Sequence, residues 1–321
     1  MGQSSSSTTE PDKEQASTDQ NATLRRETAQ RAPVQRPAPI ICGVSESEMQ
    51  KLALTDEIGT LITDNLPMSC KGSNLGFPVK WYLLYSSDIN GKSFQRLVQH
   101  IVSRGPTVLI VKLKNSARVI GAFCESDWLT VAEREKAAKS AAAASARALR
   151  EGQAQRRKVE SKSKNTVFFG NANCFVFRVH SSNNDGVSEM GEIYKSKPSM
   201  NTNFMYLFDV HPLEDKVGIG MGGQSGYYGW FIDRWLETGT CYGSRCTTFD
   251  CPRLTPTETW QVDSVEVYAV KSDVVEQLLR DGNQLVTDVS CVNGNQDSKA
   301  AQLILELNGT HQFNRNERPD C

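Results

Sequence analysis

Four groups of residues have types and spacings that suggest chemistry. Gly218, Gly220, Gly222 and Gly223 satisfy G-x-G-x-x-G. Such a run cradles a phosphate when it opens a helix whose N-terminus faces the ligand. Here Gln224-Ser225-Gly226-Tyr227-Tyr228-Gly229 follows, a poor helix start, and the surrounding pattern is antiparallel rather than βαβ. The competing account is a glycine loop that lets two sheets of a core approach, and it is the better supported. Cys241, Cys246 and Cys251 are spaced C-x4-C-x4-C. Zinc sites use tighter pairs and four ligands, so reduced loop and core thiols are expected instead. His100, His180, His211 and His311 sit in no nucleophile motif, and Asp233 and Glu237, at i, i+4 beside Trp235, read as structural. No catalytic residue, metal site or cofactor is therefore expected, and the chain does not read as an enzyme. The fourth group is Met1-Gly2-Gln3-Ser4-Ser5-Ser6, which fits M-G-x-x-x-[ST] and marks Gly2 for N-myristoylation.

The totals narrow the class. A net charge of −1 and a pI near 6.5 argue against nucleic acid as a partner. Hydrophobic residues make up 38 % of the 321, below the globular norm, so part of the chain is not core. Nine Cys, an odd number, without a secretory signal point to reduced thiols in the cytosol. No apolar run is long enough to span a membrane.

The elements that must position these groups follow from pattern. Residues 1–44 are a Ser, Thr, Gln and Pro tail that buries too little to order itself. Residues 45–74 hold short helices, opened by a Ser45/Glu48 capping box. From Trp81 the chain reads as strand, then a helix over 93–102, then strands 107–113 and 118–123, which form a hairpin. Strands resume at 167–169 and 174–179, a polar loop runs over 181–197, and an aromatic strand begins at Asn203. The glycine run then turns the chain into a second aromatic strand, with Phe204, Tyr206, Trp230 and Trp235 expected in the core. A last strand follows from Trp260, and residues 271–321 form a tail with helices near 273–280 and 300–307.

Residues 129–164 break this style. The stretch is Ala-rich, opens on a Thr130/Glu133 capping box and carries ten Lys or Arg against four Asp or Glu, a net +6. It lacks an apolar stripe. A solvated helical insertion is the plain reading. The sharper one makes Arg147, Arg150, Arg156, Arg157 and Lys158 contacts for an acidic partner or an anionic membrane.

With these residues in view, the chain resembles the TLDc domain family, found in oxidation-resistance proteins and related eukaryotic regulators. The resemblance rests on WYLLYSSDINGKSF from Trp81, RGPTVLIVK from Arg104, VIGAF from Val119, FFGNANCFVF from Phe168, NFMYL from Asn203, GIGMGGQSGYYGWFID from Gly218, CTTF from Cys246 and VDSVEVYAV from Val262. It implies an α+β fold over residues 75–270: a two-sheet antiparallel sandwich-like core edged by helices. Gly2, the GMGGQ form of the glycine run and the tail AAQLILELNGTHQF from Ala300 are similar to the lysosome-associated, mTOR-linked branch of that family. That branch implies a non-catalytic regulator held through its N-terminus at the cytoplasmic face of a lysosome or other endomembrane. The V-ATPase and the TOR kinase complex are its implied partners. Two alternatives stand beside it: protection against oxidative stress, and a signalling scaffold without V-ATPase contact.

Overall fold

A computed structural model describes residues 37–71, 77–150, 167–180, 190–210, 216–224 and 226–281, without the side chains of 145, 146, 148–150 and 190. The strands are β1 (Ile40–Cys42), β2 (Lys80–Ser86), β3 (Thr107–Leu113), β4 (Arg118–Cys124), β5 (Phe168–Phe169), β6 (Phe175–His180), β7 (Met190–Lys195), β8 (Met205–Phe208), β9 (Gly218–Gln224), β10 (Tyr227–Asp233), β11 (Thr238–Thr240) and β12 (Thr259–Ala269). The helices are α1 (Glu46–Met49), α2 (Asp56–Asn65), α3 (Met68–Lys71), α4 (Ser87–Asn90), α5 (Phe94–Ile101), α6 (Val131–Arg150) and α7 (Ser272–Arg280).

The fold is mixed α and β, with one large, mostly antiparallel sheet. Its order is β5-β8-β9-β10-β11-β12-β3-β4-β6-β7, with β2 also on β12 and β1 parallel to β2. Sequence reasoning gave two sheets, but β12 joins both halves. Thr259–Gln261 pairs with β11, while Val262–Ala269 pairs with β3 and the last residues also with β2. Register shifts after Val262 and Val267 mark bulges, which add twist and let one strand serve both halves.

Alternation sorts the side chains. Leu109, Val111, Ile120, Ala122 and Val176 face one apolar cluster, which Met205, Leu207, Ile219, Met221, Trp230 and Ile232 enter from the other half of the sheet. Leu97 and Ile101 of α5 and Val275 and Leu278 of α7 join it. The odd partners, Val108, Ile110, Val119, Phe123, Phe175 and Phe177, face a second cluster closed by Ile58 and Ile62 of α2.

Two expectations differ from the fold. Ile40–Cys42 lies within the stretch expected to be disordered, yet it pairs with β2, because the β-branched Ile40 and Ile41 follow Pro37-Ala38-Pro39 and can extend a sheet edge. The polar loop over 181–197 contains β7, hydrogen-bonded along β6 from Phe175 to His180. It pairs with β6 as its neighbour, and Ile193 and Tyr194 pack against opposite clusters, so its sequence carries little polar–apolar alternation. The helix expected near 300–307, Gly2, and Arg156, Arg157 and Lys158 lie outside the described residues.

Candidate functional site

The glycine run is a strand, not a loop. Gly218, Gly220, Gly222 and Gly223 all lie in β9, which pairs antiparallel with β8 on one side and β10 on the other. The chain reverses one step later, before Tyr227. Two positions show why no other residue fits. Gly223 has φ +96, and a Cβ there would sit 1.9 Å from the Tyr227 carbonyl oxygen. Gly222 has φ +70, and its Cβ would meet the Phe249 ring at 2.7 Å and Cys246 Sγ at 2.8 Å. The freedom is used for close packing, and no helix N-terminus follows to receive a phosphate.

Rings cover the outer face of this hairpin. Tyr206 meets Tyr228 edge-on at 4.9 Å and Phe231 at 5.8 Å, and Tyr228 stacks on Phe231 at 4.8 Å. Phe168 of β5 lies 5.3 Å from Tyr206. Tyr228 and Phe231 are three residues apart, so a regular pleat would point them to opposite faces. The pleat is irregular here, at the end where Gly222 and Gly223 take positive φ. Burial pushes the Tyr206 phenol far up, and its hydroxyl donates to the Lys216 carbonyl at 2.7 Å. Thr248 ties the hairpin end to the loop after β11: its hydroxyl accepts from Gly223 N at 2.8 Å and donates to Asn201 Oδ1 at 2.7 Å.

Trp235 is where sequence reasoning fails. It was expected in the core and is 63 % exposed. The aromatic spacing suggested a continuing strand, but β10 ends at Asp233. Leu236 then takes a left-handed φ of 55 and is itself fully buried, which turns Trp235 outward. Phe204, Tyr206 and Trp230 are buried.

The base of α6 is the other built feature. Glu133 accepts from Thr130 N at 2.8 Å and Glu133 N donates to Thr130 Oγ1 at 3.2 Å, a capping box. Val131 N donates to Asp209 Oδ1 at 2.9 Å. Arg134, counted above among solvated cations, donates to the carbonyls of Leu129 and Leu207, both at 2.9 Å, and lies 4.8 Å over the Phe169 ring. Burial lowers its pKa. It is an anchor, and no periodicity in the sequence distinguishes it from its neighbours. Beyond it, residues 135–144 are exposed on every face, and Arg147 is exposed. The side chain of Arg150 lies outside the described residues.

The three cysteines of the C-x4-C-x4-C run are packed away. Cys241, Cys246 and Cys251 are buried and free, and Cys241 Sγ accepts from Leu254 N at 3.2 Å. Among the described residues no three His, Cys, Asp or Glu side chains come together as a metal site. The Cys246 and Cys251 thiols interact, which pulls the Cys246 pKa down and pushes that of Cys251 up. Likewise, among the described residues no helix is long and apolar enough to cross a membrane.

Comparison with known proteins gives this geometry a family. The TLDc domain model matches residues 50–141 and 157–271, and the gap between them falls within the Ala-rich, basic stretch. The match begins before α2, in accord with the packing of α2 on the sheet. The chain is 30 % identical over 231 residues to the mTOR-associated protein MEAK7 of Xenopus laevis, covering 72 % of this chain and 38 % of the relative. MEAK7 of Gallus gallus is 29 % identical over 231 residues, with the same coverage of 72 % and 38 %. MEAK7 of Homo sapiens is 28 % identical over 244 residues, covering 75 % and 42 %. The chain thus spans about two fifths of the length of these relatives. With strands β2–β12, the glycine strand among them, inside the matched segments, the chain belongs to the TLDc domain family.

Proposed function

We propose that the chain is a non-catalytic TLDc regulator at the cytoplasmic face of a lysosomal or other endomembrane, where it binds the V-ATPase and supports TOR signalling. The observation that carries this reading is the family match across strands β2–β12, together with similarity to relatives named for association with mTOR. The two halves of the sheet sharing one apolar cluster support the sandwich-like core expected of the family. Affinity purification of the full chain from lysosomal membranes tests the reading. V-ATPase subunits and the TOR kinase should co-purify. TOR kinase without V-ATPase would favour a signalling scaffold, and neither would end the proposal.

Membrane attachment needs two signals. One myristoyl chain on Gly2 binds a bilayer with K on the order of 10⁴ M⁻¹, which is marginal and reversible. The basic stretch is the second, and α6 is suited to it: its base is fixed to the fold, and Lys136, Lys139 and Arg147 beyond Arg134 are exposed. A Lys136→Glu, Lys139→Glu, Arg147→Glu variant should lose more than about tenfold in binding to phosphatidylserine vesicles, since each cation near such a surface contributes about 1 kcal/mol. Sedimentation of the myristoylated protein reads this. Unchanged binding would remove α6 from the membrane contact.

Thiol-based protection is the second reading, and the Cys246–Cys251 pair is the observation in its favour. Burial opposes it. Among the seven described cysteines only Cys42 is not buried, so it should alkylate first. Cys246 should react more than about tenfold more slowly, because it must wait for local opening. Mass-spectrometric mapping decides, and a fast Cys246 would revive the redox role.

A further inference from the structure

The start of β10 sends one tyrosine into the fold and its neighbour outward. Tyr228 is buried, whereas Tyr227, the first residue of the strand, is 47 % exposed. The Tyr227 ring meets the ring of Tyr242 edge-on at 5.4 Å. Tyr242 is tied to β10, because its N donates to the Tyr228 carbonyl at 3.2 Å. A 3-10 turn, Gly243–Arg245, follows. Arg245 N donates to the Tyr242 carbonyl at 3.4 Å, and N of the buried Cys246 donates to the Gly243 carbonyl at 2.7 Å. The turn is thus anchored on both sides of Arg245. Its guanidinium stands over both rings, 5.6 Å from the centre of Tyr227 and 5.8 Å from that of Tyr242. The start of β10 and the loop after β11 together build one exposed cluster of two Tyr and an Arg.

The charge of this cluster is unmatched. Arg245 is exposed, and among the described residues its side chain has no hydrogen-bond acceptor and no ion-pair partner. Asp250, the acid nearest to it in sequence, is paired with Lys197. The hydroxyls of Tyr227 and Tyr242 also have no hydrogen-bond partner among the described residues. Contact with the rings leaves the N–H fork of Arg245 for an acceptor of matching geometry, and a carboxylate has that geometry. Tyr and Arg are enriched in interface hot spots, and a stacked cluster on an anchored backbone has little freedom left to lose on binding. An anionic bilayer is the weaker fit, since one cation near such a surface adds only about fivefold to binding and makes no use of the rings. We propose that the cluster docks a linear segment of a partner protein that carries an Asp or Glu beside a Pro or an aromatic residue. The carboxylate takes the Arg245 fork, and the neighbouring ring packs on Tyr227. The inference goes beyond the regulatory reading above and does not depend on which assembly supplies the segment.

The test is a selection of a random 12-residue phage-displayed peptide library on the full chain, with Arg245→Glu as counter-selection. Peptides that set Asp or Glu beside Pro or an aromatic residue should be enriched. Their fluorescein-labelled synthetic forms should bind Arg245→Glu and Tyr227→Ala at least about tenfold more weakly, the loss typical of a hot spot. Arg245→Glu should melt with the parent protein, since its side chain is exposed, so the test stands even where Tyr227→Ala folds poorly. The Lys136→Glu, Lys139→Glu, Arg147→Glu variant of α6 should bind the peptides as the parent does. The proposal is overturned if no such motif is enriched, if the peptides bind Arg245→Glu equally, or if only the α6 variant loses them. It is also overturned if Arg245→Glu instead reduces only sedimentation with phosphatidylserine/phosphatidylcholine vesicles, which would make the cluster a membrane contact.

Discussion

Alanine at position 223 should destabilise the fold by roughly 2–6 kcal/mol in urea denaturation. Two effects combine. A non-glycine residue held at positive φ costs about 1–3 kcal/mol. The added Cβ would lie 1.9 Å from the Tyr227 carbonyl, a backbone atom that no rotamer change can move aside. Forcing β9 and β10 apart there costs about 1–3 kcal/mol more, as overpacking does. The loss reaches further than the strand pair. Gly223 N donates to Thr248, so the hairpin end also loses its tie to the loop that carries Cys246 and Phe249. For a domain whose total stability is about 5–15 kcal/mol, this is enough to lower the yield of folded protein.

Gly226 separates the two effects. It has φ +90, but a Cβ there meets nothing within 4 Å. Gly226→Ala should therefore pay only the backbone strain, about 1–3 kcal/mol. Equal losses in the two variants would show that contact with Tyr227 does not matter. A much larger loss at 223 would confirm that glycine is required there for approach as well as for conformation.

Legibility follows how locally each feature is encoded. β3, β4 and α5 are readable because β-branched runs and 3.6-residue spacing report burial directly. The Thr130/Glu133 capping box is readable for the same reason, since its partners are three residues apart. β7 carries little polar–apolar alternation, and its place is set by β6. Arg134 looks like any cation of its helix, and only Leu207, remote in sequence, makes it an anchor. Trp235 reads as a core ring because spacing cannot reveal that Leu236 adopts a left-handed conformation. The glycine run announced unusual backbone demand but not its location, since a strand of glycines and a loop of glycines look alike until β8 and β10 are placed beside it.

Glu266 was not readable either, and replacing it should give the second large effect. It sits in β12 with no exposed surface. Its carboxylate accepts from Ala53 N, from Leu54 N at 3.3 Å and from the Tyr268 hydroxyl at 2.8 Å. It thus pins the link between α1 and α2 to the middle of the sheet. Glu266→Ala strands these donors. Each costs about 1–3 kcal/mol if left unsatisfied, and the half-buried amides of 53 and 54 can recover some of this from water, so the net loss should be about 2–5 kcal/mol. Burial raises the carboxyl pKa, with Asp88 adding to the rise, against the lowering by Ala53, Tyr268 and Leu54. The stabilisation it provides is then complete below the unfolded value, about 4.3, and fades as pH rises through the higher folded value. Glu266→Gln keeps the volume and removes the titration. Stability of the parent minus that of Glu266→Gln should therefore fall as pH rises above the unfolded value of about 4.3. A pH-independent difference would mean that the three donors offset the cost of burial, leaving the carboxylate as stable in the sheet as in water.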